Sequence, residues 1–303
     1  MTLSNIPLFI TESWNDYALL DSGLGLKLEK FGNIITIRPE PQAIWNPFKS
    51  LDEWKHSAHL EYYGTSPTNG KWVKHKPSSD NWLVSFPLNH NEKLSIELAL
   101  TSFKHVGIFP EQHHNWLQIY NTLRKLDKPN FLNLFAYTGA ASLAAAAAGA
   151  NVYHVDSIKQ VLSWANRNRE HNKLASNIHW VLDDALKFAK RELKREKKFQ
   201  GIILDPPAFG HGPKGESWKL EKNLPELLNI TIELLDPHHP FLILNTYSLG
   251  YSAIILYNLV QQILDAKPHI NAKINAGELC LKDQYGRILP LGICITLTPA
   301  LQT

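Results

Sequence analysis

The stretch LNLFAYTGAASLAAAAAGANVYHVD, residues 132–156, decides the fold. An apolar run ends at a turn, a small-residue helical segment follows, and a second apolar run ends in Asp156. This is the opening unit of a parallel α/β sheet, where ligands bind beyond the carboxyl ends of the strands. A dinucleotide fingerprint needs three glycines to admit a pyrophosphate. The turn here has one, Gly139.

The pattern continues outward from that unit. Apolar runs at Phe131–Phe135, Val152–Val155, Ile178–Leu182, Gly201–Leu204 and Phe241–Leu244 alternate with helical patterns at 139–148, 157–173, 184–197, 223–235 and 249–265. Such alternation predicts a parallel sheet with helices on both faces. The tail differs: GELCLKD and LGICITLTP are two strands joined by a turn around Tyr285–Gly286, an antiparallel pair closing the sheet. Residues 1–105 instead carry short alternating runs between turn residues, the texture of a small β-rich domain. The expected division is 1–105 and 106–303. Five tryptophans lie in the first part (Trp14, Trp45, Trp54, Trp72, Trp82). Exposed, they would stack on bases; packing in a small core is the preferred reading.

A chain of 303 residues holds one large domain, or one large and one small. The N-terminus MTLSNIPLFITESW lacks the basic start and long apolar run of a signal peptide. No stretch reaches 18 apolar residues, so no membrane partner is expected. Two cysteines, Cys280 and Cys294, give neither a disulfide framework nor zinc spacing. The histidine pairs 113–114 and 238–239 also lack metal spacing, and no metal is expected. The expected location is the cytoplasm. Residues 187–198, KFAKRELKREKK, carry seven Lys/Arg against two Glu, a local +5 within an overall +3. Any affinity for nucleic acid therefore has to be argued locally.

The ligand follows from what the turn offers. Gly139 admits close backbone approach, and Thr138 is placed to cap the next helix. Asp156 offers a carboxylate to both ribose hydroxyls, at roughly 1.5–3 kcal/mol per charge-assisted bond. Asp184, after the third run, is placed for an adenine amino group. An adenosine without phosphate points to S-adenosyl-L-methionine. After the fourth run comes Asp205-Pro206-Pro207-Ala208-Phe209, whose prolines remove two backbone donors and leave carbonyl acceptors.

With these residues in order, the sequence resembles the class I S-adenosylmethionine-dependent methyltransferases, in the branch related to large-subunit (23S) ribosomal RNA methyltransferases. The resemblance is carried by FKHVGIFPEQ (103–112), NLFAYTGAAS (133–142), HVDSIKQ (154–160), Asp183-Asp184, DPPAFG (205–210), NTYS (245–248) and GEL (277–279). It also touches the N-terminal LLDSGLGLKLEKFG and RPEPQAIW, which look like the start of one bacterial subgroup. The resemblance implies a Rossmann-like seven-stranded sheet with an antiparallel C-terminal edge pair. It implies that the turn Asn133–Gly139, with Phe135 and Tyr137, faces the methionine end of the cofactor. Asp156 and Ser157 would take the ribose, Asp183 and Asp184 the adenine, and Asp205, Pro206, Pro207 and Phe209 the acceptor. Gln112 would help close the site; the family often has Arg after it, where this chain has His113.

Carbon-5 of a pyrimidine requires a covalent adduct, normally through cysteine. Both cysteines fall inside the last two strands, so a nitrogen acceptor is expected. Asp205 and the Pro206 carbonyl would take an exocyclic amino group and Phe209 would stack on the base. A ring nitrogen would need no base at all, and the sequence separates neither. Residues 210–222 read as a lid or an ordinary solvated loop, with His211 and Lys214 near phosphate in the first case. The basic helix reads as a solvated face or a distant contact for long RNA. A nicotinamide oxidoreductase, an RNA assembly factor without turnover, and a methyltransferase of a non-RNA substrate are the rival functions.

Overall fold

The computed structural model describes residues 6–66, 69–174, 177–247 and 250–300. In chain order the elements are β1 (Leu8–Thr11), β2 (Tyr17–Gly23), β3 (Leu26–Phe31), β4 (Ile34–Pro39), α1 (Leu51–Ser57), β5 (Leu60–Ser66), β6 (Asn69–Lys74), β7 (Asn81–Pro87) and β8 (Lys93–Ala99). Then follow α2 (His113–Leu123), β9 (Asn130–Leu134), α3 (Ala140–Ala147), β10 (Asn151–Asp156), α4 (Lys159–His171), β11 (Ile178–Leu182), α5 (Ala185–Lys194) and β12 (Gly201–Leu204). The chain ends with β13 (Phe209–His211), β14 (Ser217–Lys219), α6 (Leu220–Glu233), β15 (Leu242–Thr246), α7 (Ala253–Asp265), β16 (Ala272–Lys282) and β17 (Ile288–Pro299).

Two compact units emerge. One comprises residues 1–9, 115–278 and 292–303; the other comprises 10–114 and 279–291. Against the expected division at 105/106, the smaller unit also takes 106–114 and the tip of the last hairpin, and the larger takes the N-terminus.

The main sheet has the order β1-β16-β17-β15-β12-β9-β10-β11. Strands β11, β10, β9, β12 and β15 pair in parallel, and β17 runs antiparallel to β15. The chain starts at β9, moves outward to β11, then returns to β12 on the other side. That reversal makes the crevice between β9 and β12 a topological switch point. The sheet has eight strands rather than seven, because β1 adds an edge beside β16. Four residues, LFIT, are too few to show a period that a sequence reading would catch.

The strands are apolar because helices cover both faces. Leu132, Leu134, Ile202, Leu204, Leu242 and Leu244 are fully buried. The helix α3 is nearly all alanine, and its side chains are buried from Ala140 to Ala146. Small side chains let it lie close to β9 and β10.

The smaller unit holds a five-stranded sheet, β2-β3-β4-β5-β6, and a separate β7-β8 hairpin. Trp54 of α1 is completely buried in its core, as the packing reading expects. Trp14 and Trp72 are half-buried, with indole N–H groups bound to the carbonyls of Ser85 (2.8 Å) and Thr101 (2.9 Å). Its interior also buries charge. Glu29 accepts from the Tyr17 hydroxyl and from Arg38 Nε, each at 2.9 Å. The Arg38 and Lys27 charges hold the Glu29 carboxyl below its ordinary pKa despite burial.

Candidate functional site

Register brings the candidate residues to one edge. Leu134 lies beside both Val155 and Leu204, and Asp156 beside Leu182. Phe135 and Asp205 therefore emerge level with Asp156, and Asp183 one residue beyond it, on the carboxyl side of the sheet. An open cleft of about 370 Å³, solvent mouth included, lies against Phe135, Asp156 and Asp183, while Asp205 is not among its lining residues. It is lined by Phe135, Asp156, Ser157, Asp183, Asp184 and Pro207 among the expected residues, and also by Trp218.

The turn after β9 is strained in an informative way. Phe135 (φ +58°) and Tyr137 (φ +49°) both sit in the left-handed region that non-glycine residues rarely visit, as does Gly139 (φ +92°). Each non-glycine residue there costs roughly 1–2 kcal/mol. Asp156 holds the turn in place. Its Oδ2 accepts from the Tyr137 N–H at 2.9 Å, and its Oδ1 from the Ile158 N–H at 2.9 Å. Burial raises the Asp156 pKa, and the backbone donors of Tyr137, Ile158 and Ser157 pull against that rise.

Position 139 needs glycine for space as well as for φ. An added Cβ would sit 3.3 Å from Ala165 Cβ and 3.4 Å from His154 Cε1. Gly139 is itself the N-cap of α3, with no side-chain cap. Thr138, expected as the cap, stands one residue before it; it is buried, and its carbonyl accepts from Asn168 Nδ2 at 2.9 Å.

Asn133 reaches beneath α3. Its Nδ2 donates to Ser142 Oγ at 2.9 Å, and Ser142 Oγ lies 2.9 Å from His154 Nδ1. All three residues are buried, and burial pushes the His154 pKa down to about 3. The imidazole is neutral at physiological pH. This Asn-Ser-His chain fixes α3 to β9 and β10 directly under the turn.

The two acids after β11 have local partners. Asp184 caps α5, its Oδ1 accepting from the Lys187 N–H at 2.9 Å. Asp183 Oδ2 binds Arg191 Nη1 at 2.7 Å, and its Oδ1 accepts from the Asp184 N–H. Both still line the cleft.

The segment after Asp205-Pro206-Pro207 is not an open loop. It folds into the β13-β14 hairpin, with Gly210 opposite Trp218. Trp218 is buried, its ring 4.9 Å from that of Phe135. Its Nε1–H donates to the Pro207 carbonyl at 2.7 Å, so that acceptor is already engaged. Phe209 projects outward, 68% exposed. Glu216 ties the hairpin to α5 through Lys187, and that ion pair draws the Glu216 carboxyl down to about 2. Sequence reasoning missed Trp218; the only signal was one large aromatic in a glycine-rich loop.

At the far side of the acceptor turn, β15 and β17 supply polar groups. Asn115 Nδ2 donates to Asn245 Oδ1 at 3.0 Å, and Cys294 Sγ lies 3.5 Å from Asn115 Oδ1. Cys294 is fully buried, and burial raises its thiol pKa, with the Asp205 carboxylate adding to the rise. Cys280 is equally buried in β16. Gln112 ends a 3-10 turn, Pro110–Gln112, in the smaller unit and is buried there. The NTYS stretch ends at Ser248, outside the described residues.

The chain resembles known proteins along its whole length and in part. A family model described as "Conserved hypothetical protein 95" matches residues 107–217. A crystal structure of an S-adenosylmethionine-dependent methyltransferase from Agrobacterium tumefaciens is 34% identical, with a TM-score of 0.89, over 97% of this chain and 94% of that one. The ribosomal RNA large subunit methyltransferase K/L of Shewanella frigidimarina is 33% identical over 47% of this chain. The ribosomal RNA large subunit methyltransferase I of Citrobacter koseri is 31% identical over 52%. This chain spans 20% of the first of these two curated relatives and 37% of the second.

Proposed function

The chain belongs to the S-adenosylmethionine-dependent methyltransferases, and on that premise we propose that it methylates a nitrogen of a nucleobase in RNA, with ribosomal RNA as the first candidate. The observation that carries the proposal is the acceptor turn. Asp205, Pro206 and Pro207 leave β12 level with the strained turn after β9, with an exposed Phe209 beside them.

The cleft suits the cofactor. The turn after β9 carries a single glycine, Gly139, where a pyrophosphate would want several, and the cleft presents carboxylates at the ends of β10 and β11. When bound, S-adenosylmethionine supplies an electrophilic methyl on a sulfonium. Asp156 and Ser157 would hold the ribose, the Asp156 carboxylate keeping lone pairs beyond those its backbone donors use. Asp183 and Asp184 would take the adenine, and the Phe135–Gly139 turn would border the methionine end.

Most of the remaining work is alignment, and positioning of reactants supplies roughly 7–11 kcal/mol in favourable cases. Asp205 would accept a hydrogen bond from an exocyclic amine, turn the nitrogen lone pair toward the methyl, and take the proton the amine sheds as the cofactor's sulfur leaves as a thioether. Phe209 stacks on the base, which has to be unpaired to reach the turn. The buried cysteines support nitrogen over carbon-5, because Cys294 carries a thiol held far from its thiolate. The names of the curated relatives support ribosomal RNA as acceptor.

The test is methyl transfer from labelled S-adenosylmethionine to ribosomal RNA from a strain lacking this protein, followed by nucleoside analysis. A labelled N-methyl nucleoside is expected. Label in a 5-methylpyrimidine, or in no RNA, overturns the proposal.

A further inference from the structure

The basic stretch 187–198 is largely self-neutralised. Lys187 pairs with Glu216, Lys190 with Glu226 (2.6 Å), Arg191 with Asp183 (2.7 Å), Arg195 with Glu192 (2.7 Å) and Lys198 with Glu233 (3.8 Å). The smaller unit carries the opposite arrangement at a place where the sequence shows no charge cluster. Arg287, in the last hairpin, lies 4.4 Å from the centre of the Phe48 ring and 5.6 Å from that of Trp45. Its Nη1 donates to the carbonyls of Ser22 and Asn46, both at 3.0 Å. Among the described residues, its Nε and Nη2 donate to no protein group and no carboxylate lies within 4 Å of it, though its charge acts on the Asp283 carboxyl. The Lys49 ammonium likewise makes no close ion pair there, and its charge acts on the exposed Glu53 carboxyl.

Aromatic rings complete the surface. Phe48 and Tyr285 stack at 4.2 Å and 27°, yet are 55% and 39% exposed. Two buried carboxylates pin the loops that display them. Asp21 accepts from the N–H groups of Phe48 (3.2 Å) and Lys49 (2.9 Å) and from Trp54 Nε1 (3.1 Å). Asp283 Oδ1 accepts from the N–H groups of Tyr285 (2.9 Å) and Arg287 (2.8 Å). The rings are therefore held before any partner arrives, which removes much of the ordering cost of binding.

We propose that this surface binds a single-stranded segment of RNA, with bases on Phe48 and Tyr285 and phosphates on Arg287 and Lys49. The proposal rests on the RNA reading above and adds a second contact to it. Cations outside close ion pairs, beside a pair of aromatic rings left part-exposed, match a polyanion whose bases are unstacked. A second copy of the chain fits less well, because a two-fold contact centred here would set Arg287 and Lys49 against their own mates.

The test is fluorescence anisotropy of the full chain with a labelled ten-nucleotide single-stranded RNA and with a blunt RNA duplex. The single strand should bind more tightly. Phe48→Ala should weaken it about tenfold, the loss of one stacked base. Arg287→Gln and Lys49→Gln should each lower the slope of log affinity against log salt by about 0.7. Affinity for S-adenosylmethionine should stay at the wild-type value in all three. Lys49→Glu, at an exposed side chain, gives the same direction should Phe48→Ala fail to fold. Unchanged RNA affinity in these variants overturns the proposal, as does a dimer that Phe48→Ala dissociates without altering RNA binding. If the wild type binds the single strand here but methylates no RNA, the acceptor assignment falls and this surface stands. If the Phe48→Ala/Arg287→Gln double variant methylates RNA with wild-type kcat/KM, this surface falls and the acceptor assignment stands.

Discussion

The indole of Trp218 donates to the carbonyl of Pro207 across 2.7 Å, joining the middle residue of β14 to the acceptor motif itself. Trp218→Phe keeps a smaller aromatic ring beside Phe135 and deletes that bond, worth about 1 kcal/mol, together with part of the buried indole. We expect kcat to fall several-fold with a smaller change in S-adenosylmethionine affinity. Steady-state kinetics beside calorimetry checks this; an unchanged kcat would show that the carbonyl needs no indole to hold it.

Asp156 has two tasks, and its variants should separate them. Asp156→Ala loses the ribose contacts and also the anchor of the Tyr137 N–H, so affinity for S-adenosylmethionine should drop by roughly 2–4 kcal/mol. Asp156→Asn keeps a carbonyl oxygen for Tyr137 and should lose less. Equal affinities for the wild type and the alanine variant would remove Asp156 from the cofactor site.

Tyr137 tests the strain in the turn. Tyr137→Ala removes the ring and leaves a Cβ at φ +49°. Tyr137→Gly removes the ring and the strain together. The glycine variant should therefore be the more stable of the two by about 1 kcal/mol in urea unfolding. The reverse order would mean that this backbone carries no such strain.

Asp205→Asn distinguishes the two nitrogen acceptors. An exocyclic amine that gives its proton to Asp205 should lose roughly 10²–10⁴-fold in turnover, with cofactor affinity unchanged. A ring nitrogen has no proton to lose, and the loss should then be mild. A collapse of cofactor affinity with turnover intact at saturation would place Asp205 in the cofactor site instead.

His154 makes stability depend on pH. Its folded pKa of about 3 lies below the ordinary 6.5, so the unfolded chain binds the proton more readily. Its contribution is complete above pH 6.5 and is lost as pH falls toward 3, by at most about 1.4 kcal/mol per unit. His105, also lowered to about 3 by burial, adds a parallel slope. His154→Gln should therefore flatten, without abolishing, the fall in urea stability between pH 7 and pH 5. An identical slope in the variant would show that His154 titrates normally.

Much of the larger unit was legible in the sequence because its signals are local. Apolar runs mark strands, and Asp156, Asp184 and Asp205 follow runs that register brings level. What the sequence did not disclose depends on partners distant along the chain. Trp218 fell in a stretch that read as a lid or an ordinary loop, because its value lies in reaching Pro207 and Phe135. Asn133 looked like a turn residue because Ser142 and His154 meet it only through packing. Thr138 was one residue from the true cap, since the left-handed step at Gly139 starts the helix later than propensity suggests. The charges of 187–198 read as basic because four of their acidic partners lie outside that stretch.

The tip of the last hairpin, residues 279–291, belongs to the unit that begins at residue 10. Arg287 binds the carbonyls of Ser22 and Asn46, and Asp283 bridges to Leu19. On the ribosome, then, residues 10–114 emerge well before the segment that completes their unit. Their strands lack that closing piece until residues 279–291 have been made. Vectorial, domain-by-domain folding, the usual course for a chain of this length, is denied to that unit. Moving the hairpin tip ahead of residue 10 by circular permutation would restore it.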